Sequence, residues 1–172
     1  MNITLRIPSL EDKEGLVKIC NAVDRTYLSD RMPDPYTEES AVWFLNMISE
    51  NDGKAGIWRL IYADNEPIGV ISVEQGVDVY RKDGEIGYYI LTDFWSKGIV
   101  TQAVKDICKL AFETLDIIRI TGNICEPNIG SRRVLEKAGF VPEGVKRNAV
   151  TKAGNTYNLC ILGLLKEDLN ND

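Results

Sequence analysis

The sequence predicts an α+β domain built on a mixed sheet of about seven strands flanked by about four helices. The first reason is that hydrophobic periodicity changes between 2 and 3.6 residues along the chain, in the order β-α-α-β-β-β-α-β-α-β-β. The second is that two pairs of neighbouring strands are joined by short turns, which disfavours a doubly wound parallel sheet. With 172 residues, the chain suits a single domain spanning residues 1–172.

The first third of the chain is predicted to form one strand and two helices. Alternating side chains place a strand over residues 3–7. Ser9 begins a capping box for the first helix, and Thr37 caps the second. Two prolines within residues 27–36 prevent these helices from joining, so this segment is predicted to be a loop.

The rest of the chain supplies two helices and six strands. The third helix begins after Gly98, where the apolar period changes to 3.6. The fourth runs from Asn128 to Lys137, and Gly139 ends it. The strands are predicted over residues 57–62, 68–73, 85–91, 117–124, 141–150 and 157–165, of which the last two form a hairpin.

Histidine is absent from the sequence, and this narrows the chemistry. Ser-His-Asp and Cys-His catalysis are excluded, and zinc sites lose a principal ligand. No Cys-x-x-Cys pair occurs, so the cysteines are predicted to be small buried apolar residues without disulfides. No metal site is predicted, and protons must be handled by carboxylates, hydroxyls, phenols, amines or water. The four cysteines are Cys20, Cys108, Cys125 and Cys160.

Net charge and hydropathy argue against nucleic acids and membranes as partners. A net charge of −6 disfavours a nucleic-acid-binding protein. No apolar run approaches the roughly 18 residues needed to span a bilayer, and residues 1–8 lack the profile of a signal peptide. We therefore expect a cytoplasmic protein, a monomer or a homodimer, with no nucleic-acid or membrane partner.

A glycine-bearing turn joins the strand over residues 85–91 to the third helix. Such a turn exposes backbone N–H groups at the positive end of the helix dipole, a geometry that binds phosphate. Lys97 adds a cation and Thr101 a hydroxyl. The pattern is also typical of an ordinary strand-to-helix turn. A second stretch, residues 128–140, has a polar helix start and a Gly-Phe exit, and is equally ordinary by itself.

Together, in this order and spacing, the two stretches resemble GNAT acetyltransferases. Residues 95–103, Trp-Ser-Lys-Gly-Ile-Val-Thr-Gln-Ala, resemble the loop that binds the pyrophosphate of acetyl-CoA. Residues 128–140 resemble the second cofactor segment of that family. Residues 31–37, Arg-Met-Pro-Asp-Pro-Tyr-Thr, are similar to a segment of the RimJ/RimL-like branch, the ribosomal-protein N-terminal acetyltransferases. The resemblance covers nearly the whole chain and implies a GNAT-like, mostly antiparallel central sheet.

The resemblance implies an acetyl-CoA-dependent N-acetyltransferase. Acetyl-CoA would lie in a splay between the strands over residues 85–91 and 117–124. The amine of a peptide or a small molecule would attack the thioester directly. A backbone N–H near Ile90 would polarise the thioester carbonyl, and Asn128 would hold the pantetheine. The implied cofactor-binding residues are Ile90, Leu91, Thr92, Lys97, Gly98, Ile99, Val100, Thr101, Asn123, Asn128 and Ser131.

Two residues are candidates for catalysis by analogy with this branch. Ser131 stands where the branch can place the proton donor for the departing thiolate, and simple contact with the cofactor is an equal alternative. Glu85 is the first candidate for a general base that acts through water, with Glu74 as the runner-up. A solvated or purely structural carboxylate at Glu85 remains an open alternative.

Three tyrosines are predicted to line the acceptor site: Tyr36, Tyr88 and Tyr157. Tyr88 and Tyr89 point to opposite faces of their strand, so only one of them can reach the site from there. The loop over residues 27–36 and the terminal hairpin are expected to form the walls of this site.

The chain departs from the family pattern at several positions. Ser96 and Val100 stand where the family often has Gly and Ala. Leu135 stands where many members have a tyrosine proton donor, and Val150 and Leu159 replace acidic residues of ribosomal-protein acetyltransferases. The changes at Val150 and Leu159 point to a different amine specificity. Val150 and Leu135 keep a second hypothesis open: an acyl-CoA-binding sensor or inactive relative without turnover. A plain interaction domain would require the two motif stretches to coincide by chance.

Overall fold

The predicted strands assemble into one seven-stranded sheet. They are β1 (Ile3–Arg6), β2 (Gly56–Ala63), β3 (Glu66–Gln75), β4 (Asp83–Ile90), β5 (Arg119–Cys125), β6 (Val141–Lys152) and β7 (Asn155–Leu165). Their order in the sheet is β1-β2-β3-β4-β5-β7-β6. All neighbours are antiparallel except β4 and β5, which run parallel. The structure is a computed structural model and describes residues 1–171.

Four helices flank this sheet, in the predicted sequence order. They are α1 (Lys13–Ala22), α2 (Glu38–Asn51), α3 (Ile99–Thr114) and α4 (Ile129–Lys137). Short 3-10 turns occur at Leu10–Asp12, Asp78–Tyr80, Thr92–Phe94 and Lys166–Asn171. The prediction of an α+β fold with a mixed, mostly antiparallel sheet is therefore confirmed. Within residues 1–171, each helix is too short or too polar to cross a membrane.

Each face of the sheet is covered by one pair of helices and has its own apolar core. The α3–α4 face holds the larger core, which includes Ile71, Ile86 and Leu135. The α1–α2 face holds a smaller core, which includes Leu16 and Leu60. Because side chains alternate along each strand, every residue of β4 and β5 is assigned to one face or the other.

Local sequence signals start the helices where predicted, with one difference. The carboxylate of Asp12 accepts the N–H of Ser9 at 2.8 Å, and the Ser9 hydroxyl accepts from the first turn, so the capping box is present. It caps a 3-10 turn, and α1 itself therefore begins later, at Lys13. The hairpin strands extend further toward their turns than predicted, because antiparallel pairing continues through polar residues such as Glu66 and Asn155.

All four cysteines are free and buried, which confirms their predicted role as small apolar residues. Burial raises the pKa of the Cys20 thiol and raises that of Cys108 to about 12. Because the thiolate is the reactive form, we expect iodoacetamide at neutral pH to label the native protein far more slowly than the unfolded protein. Mass spectrometry counts the labels. Rapid labelling of native Cys20 or Cys108 would contradict this expectation.

Gly122 of β5 leaves room for Leu135 of α4. A Cβ added to Gly122 would overlap Cδ1 of Leu135, which is fully buried. We expect Gly122→Ala to lower the free energy of unfolding by about 1–3 kcal/mol through overpacking. Chemical denaturation measures this loss. The double variant with Leu135→Ala should lose less than the sum of the single variants, because the shorter side chain makes room for the new methyl group. Additive losses would show that the two residues are not coupled.

Candidate active site

The parallel pair of β4 and β5 separates after three residue pairs. Its ladder joins residues 83–85 to residues 119–121 and ends there. Beyond this point, β4 continues along β3 and β5 continues along β7. A cleft therefore opens between the carboxyl-terminal halves of β4 and β5, on the side from which the chain leads into α3.

The edge of β4 directs backbone groups into this cleft. The N–H of Leu91 donates to the carbonyl of Ile68 at 2.9 Å, within the sheet. Successive residues of a strand direct their backbone groups to opposite sides, so the N–H and the carbonyl of Ile90 face the cleft. The Ile90 carbonyl accepts the indole N–H of Trp95 at 3.2 Å. Among the cofactor-binding residues predicted here, Ile90 thus offers its N–H to the cleft and Leu91 does not.

The turn before α3 presents the N-terminus of a helix without a side-chain cap. Gly98 is the N-cap residue, with φ +76°, and no side chain caps it. Gln102 makes the first bond within the helix, from its N–H to the Gly98 carbonyl at 3.2 Å. The N–H groups of residues 99–101 therefore have no acceptor inside the helix. Together with the helix dipole they form a site for an anion.

Two exposed side chains flank this N-terminus. Ser96 has φ +59°, a left-handed conformation that costs a non-glycine residue about 1–2 kcal/mol. This cost explains why glycine suits this position. The Nζ of Lys97 lies 5.3 Å from the ring centroid of Phe94, and Lys97 directly precedes the N-cap residue of α3.

The first turn of α4 is linked to β4 across the α3–α4 face. Asn128 caps the helix, because its Oδ1 accepts the N–H of Ser131 at 3.2 Å. The Tyr88 hydroxyl donates to the Ser131 carbonyl, also at 3.2 Å. Burial raises the pKa of Tyr88 to about 12, so this phenol keeps its proton at neutral pH. Ser131 is half-buried, and hydrogen bonding from its side chain partly offsets the effect of burial on the pKa of Tyr88, so its hydroxyl lies beside that phenol.

A groove of about 370 Å³ lies on the α1–α2 face of the same strands. Glu74 of β3 and Glu85 of β4 line it and stand directly opposite each other in the antiparallel register. Like charges in this arrangement repel. Neither carboxylate has a hydrogen-bond or ion-pair partner among residues 1–171. An acceptor cation would relieve this repulsion.

Asp83 also borders the groove, but its charge is used within the fold. Its Oδ2 accepts from Thr121 Oγ1 at 2.7 Å and from Arg119 Nε at 3.3 Å. Arg119 also binds Glu143 of β6, with Nη1 and Oε1 2.9 Å apart, and thereby lowers the pKa of Glu143. This cluster ties β4, β5 and β6 together at the closed end of the cleft. Glu74 and Glu85 are therefore the carboxylates available to a ligand.

The loop over residues 27–36 packs against the β6–β7 hairpin. The rings of Tyr27 and Tyr157 meet edge to face, with centroids 5.9 Å apart. Lys152 of the hairpin places its Nζ 2.6 Å from Oδ1 of Asp30. Arg25 donates to two backbone carbonyls of the same loop. The two segments expected to wall the acceptor site are thus held side by side.

The three tyrosines predicted for the acceptor site lie in different environments. Tyr157 contacts the loop just described. Tyr36 is only 6% exposed, and its hydroxyl donates to a backbone carbonyl of α2, so its ring fills the α1–α2 core. Tyr88 lies on the α3–α4 face, whereas Tyr89 packs on the opposite face, as predicted. Tyr88 therefore sits on the side of α4 and away from the groove.

Periodicity and motifs missed parts of this arrangement. Asn123, predicted to contact the cofactor, lines the groove on the α1–α2 face. Arg31 lines the same groove, although in the sequence it stands out only as the first residue of a family-like segment. The sequence did not predict the ion pairs of Arg119, because its acidic partners come from two other strands.

Comparison with known proteins decides the family. Residues 2–141 match the profile of the acetyltransferase (GNAT) domain. The chain belongs to the GNAT family. Among its GNAT relatives, the protein named "Probable N-acetyltransferase YjcK" from Bacillus subtilis (strain 168) is 36% identical over 106 residues. That match spans 62% of this chain and 59% of YjcK.

Solved GNAT structures share the whole fold. The ribosomal-protein-S5-alanine acetyltransferase from Vibrio fischeri is 20% identical, with a TM-score of 0.84 over 98% of this chain and 95% of its own. The microcin C7 self-immunity acetyltransferase MccE, solved with acetyl-CoA and AMP, is 24% identical, with a TM-score of 0.81 over 95% of this chain and 92% of its own. At these identities the likeness shows the fold alone. The part of this GNAT chain that the structure describes contains no acidic or cysteine cluster placed to hold a metal ion.

Proposed function

We propose that this GNAT protein is an acetyl-CoA-dependent N-acetyltransferase in which a primary amine attacks the thioester directly. The observation that carries the proposal is the cleft between β4 and β5, which starts beside the uncapped N-terminus of α3 and ends at the level of Glu85. Coenzyme A is a long ligand in which a pyrophosphate precedes the pantetheine arm and the thioester. A cleft with an anion site at its open end suits that order.

The proposed position of the cofactor follows from this cleft. The pyrophosphate would accept hydrogen bonds from the N–H groups of residues 99–101, with Lys97 beside it. The pantetheine would lie along Ile90 and Thr92, with Asn128 on the other side. A Cβ added to Gly98 would meet nothing within 4 Å, so the turn leaves space for a ligand.

The two candidate catalytic residues flank the cleft from opposite faces. Glu85 would take the proton of the attacking amine through water, while the Ile90 N–H stabilises the carbonyl oxygen as the N–C bond forms. As the C–S bond breaks, Ser131 would give its hydroxyl proton to the thiolate and regain one from solvent, to which Glu85 would release the proton it took. The products are the N-acetylated amine and coenzyme A.

A second candidate function is binding of an acyl-CoA without turnover. It is favoured by Leu135, which stands where many family members have a tyrosine proton donor. Leu135 is fully buried and packs against Gly122, so it fills this position with an apolar side chain. The cleft would then bind an acyl-CoA, and amines would stay unmodified.

A mixed acceptor pool tests the proposal. The protein and acetyl-CoA are incubated with peptides of varied amino-terminal residues, polyamines, amino acids and aminoglycosides, and the products are analysed by mass spectrometry. We expect one acetyl group on at least one acceptor and a matching release of coenzyme A. A modified peptide amino terminus indicates a protein acetyltransferase, and a modified small amine indicates a metabolite acetyltransferase. Bound acetyl-CoA with no acetylated product would favour the second candidate.

A further inference from the structure

Arg31 lines the groove that Glu74 and Glu85 also line, and it has no acidic partner among the described residues. Its backbone N–H donates to the Ser29 hydroxyl at 3.2 Å, but its guanidinium bonds to no described residue. The two glutamates are equally without partners there. Charges of both signs therefore face one groove without neutralising one another.

The loop positions Arg31 without using its side chain. Asp30, the preceding residue, is paired with Lys152 of the β6–β7 hairpin. Arg25 donates to the carbonyls of Met32 and Pro33, at 3.2 and 2.9 Å, immediately after it. With the chain anchored on both sides, the backbone of Arg31 is held beside the groove that its side chain lines, and the five guanidinium N–H donors remain available.

A groove that carries separated positive and negative charges complements a zwitterion, which has one charge of each sign. An arginine fork binds a carboxylate through two parallel N–H···O bonds, which is stronger and more directional than a lysine contact. A pair of carboxylates attracts an ammonium group. The groove, about 370 Å³, is at the lower end of the size range of small-ligand sites, roughly 300–1,000 Å³. It has space for an amino acid or for the first residues of a peptide.

We infer that Arg31 determines acceptor specificity by binding a carboxylate that the acceptor carries near its primary amine. The inference rests on the proposed function, because it assigns this groove to the acceptor. The amine lies toward Glu74 and Glu85, and the carboxylate lies toward Arg31. That carboxylate has two sources: the α-carboxylate of a free amino acid, or an acidic side chain that follows the amino terminus of a peptide.

Two acceptor pairs that differ only by a carboxylate-to-carboxamide change test the inference. The first pair is alanine and alaninamide. The second is the amidated peptides Ser-Asp-Ala and Ser-Asn-Ala. Calorimetry in the presence of coenzyme A measures the Kd of each acceptor at neutral pH. For the wild-type protein, we expect the carboxylate member of at least one pair to bind about tenfold more tightly, the equivalent of about 1.4 kcal/mol.

Variants show whether Arg31 is the cause. Arg31→Gln should reduce the ratio of the two Kd values to about one, and Arg31→Lys should retain part of it because the charge is kept. Lys109→Gln, which removes an exposed cation from α3 on the opposite face, is the matched control and should keep the full preference. Arg31→Gln is expected to fold normally, because its guanidinium bonds to no described residue.

The outcomes distinguish the two sources of the carboxylate, and they distinguish the inference about Arg31 from the proposed function. A preference in the first pair alone assigns a free amino acid, and a preference in the second alone assigns a peptide. Equal affinity within each pair of the wild-type protein, or a preference that survives Arg31→Gln, overturns the inference. Acetyl transfer is followed separately by mass spectrometry. If the binding preference depends on Arg31 but no acceptor is acetylated, the proposed transferase activity fails, whereas the binding of a carboxylate by Arg31 stands.

Discussion

Replacing Gly98 with leucine is expected to weaken the binding of coenzyme A by about 100-fold or more while the fold survives. Gly98 has φ +76° at the N-cap of α3, and a Cβ there lies in open space. A leucine costs about 1–2 kcal/mol in this left-handed conformation, which is small beside the typical 5–15 kcal/mol of unfolding. The free energy of cofactor binding is expected to fall by more than this, because the new side chain enters the space beside the free N–H groups of residues 99–101. A 100-fold loss is the equivalent of about 2.7 kcal/mol.

Gly154→Leu is the matched control for this prediction. Gly154, in the turn between β6 and β7, has φ +78° and open space around its Cβ. The two variants therefore carry the same backbone cost at different places. Thermal unfolding should show similar small losses of stability, whereas calorimetry should show weak coenzyme A binding for Gly98→Leu alone. Unchanged affinity in Gly98→Leu would refute the assignment of this turn to the pyrophosphate.

Replacing Ser131 with alanine is expected to lower turnover about 100-fold and to change acetyl-CoA affinity by less than about threefold. A positioned general acid contributes roughly 10²–10⁴-fold to rate. The hydroxyl interacts with the Tyr88 phenol, whereas it is the backbone N–H of Ser131 that Asn128 caps. The start of α4 should therefore persist in Ser131→Ala, so a lower rate reports chemistry and not unfolding.

Single-turnover kinetics and equilibrium binding separate the two roles left open for Ser131. Ser49→Ala, at an exposed position of α2, controls for the loss of a serine hydroxyl as such. If affinity falls and the single-turnover rate does not, Ser131 is a cofactor-binding residue. If neither falls, the thiolate obtains its proton elsewhere. The Tyr88 phenol, 3.2 Å from the Ser131 carbonyl, is then the next group to replace.

Local patterns predicted the elements, their order and the glycine-bearing turn before α3. Capping residues such as Ser9 and Thr37 act within one helical turn, so the helix start can be predicted from the neighbouring residues. Apolar alternation likewise shows which residues of a strand share a face, as the opposed side chains of Tyr88 and Tyr89 illustrate. The turn before α3 was recognisable because its glycine, its lysine and the helix after it are contiguous in the chain.

The contacts between segments that are distant in the sequence are known only from the tertiary structure. Periodicity does not specify which strand lies beside which. The parting of β4 and β5 was expected only from the family resemblance, and the placement of Glu74 opposite Glu85 was not expected. The family resemblance implied that Tyr36 lines the acceptor site, and packing between α1 and α2 buries its ring. The position of Arg31 at the groove depends on anchors that link its loop to a hairpin more than 100 residues later. Such contacts follow from strand order and register, which are set by the packing of the whole sheet and not by any one segment.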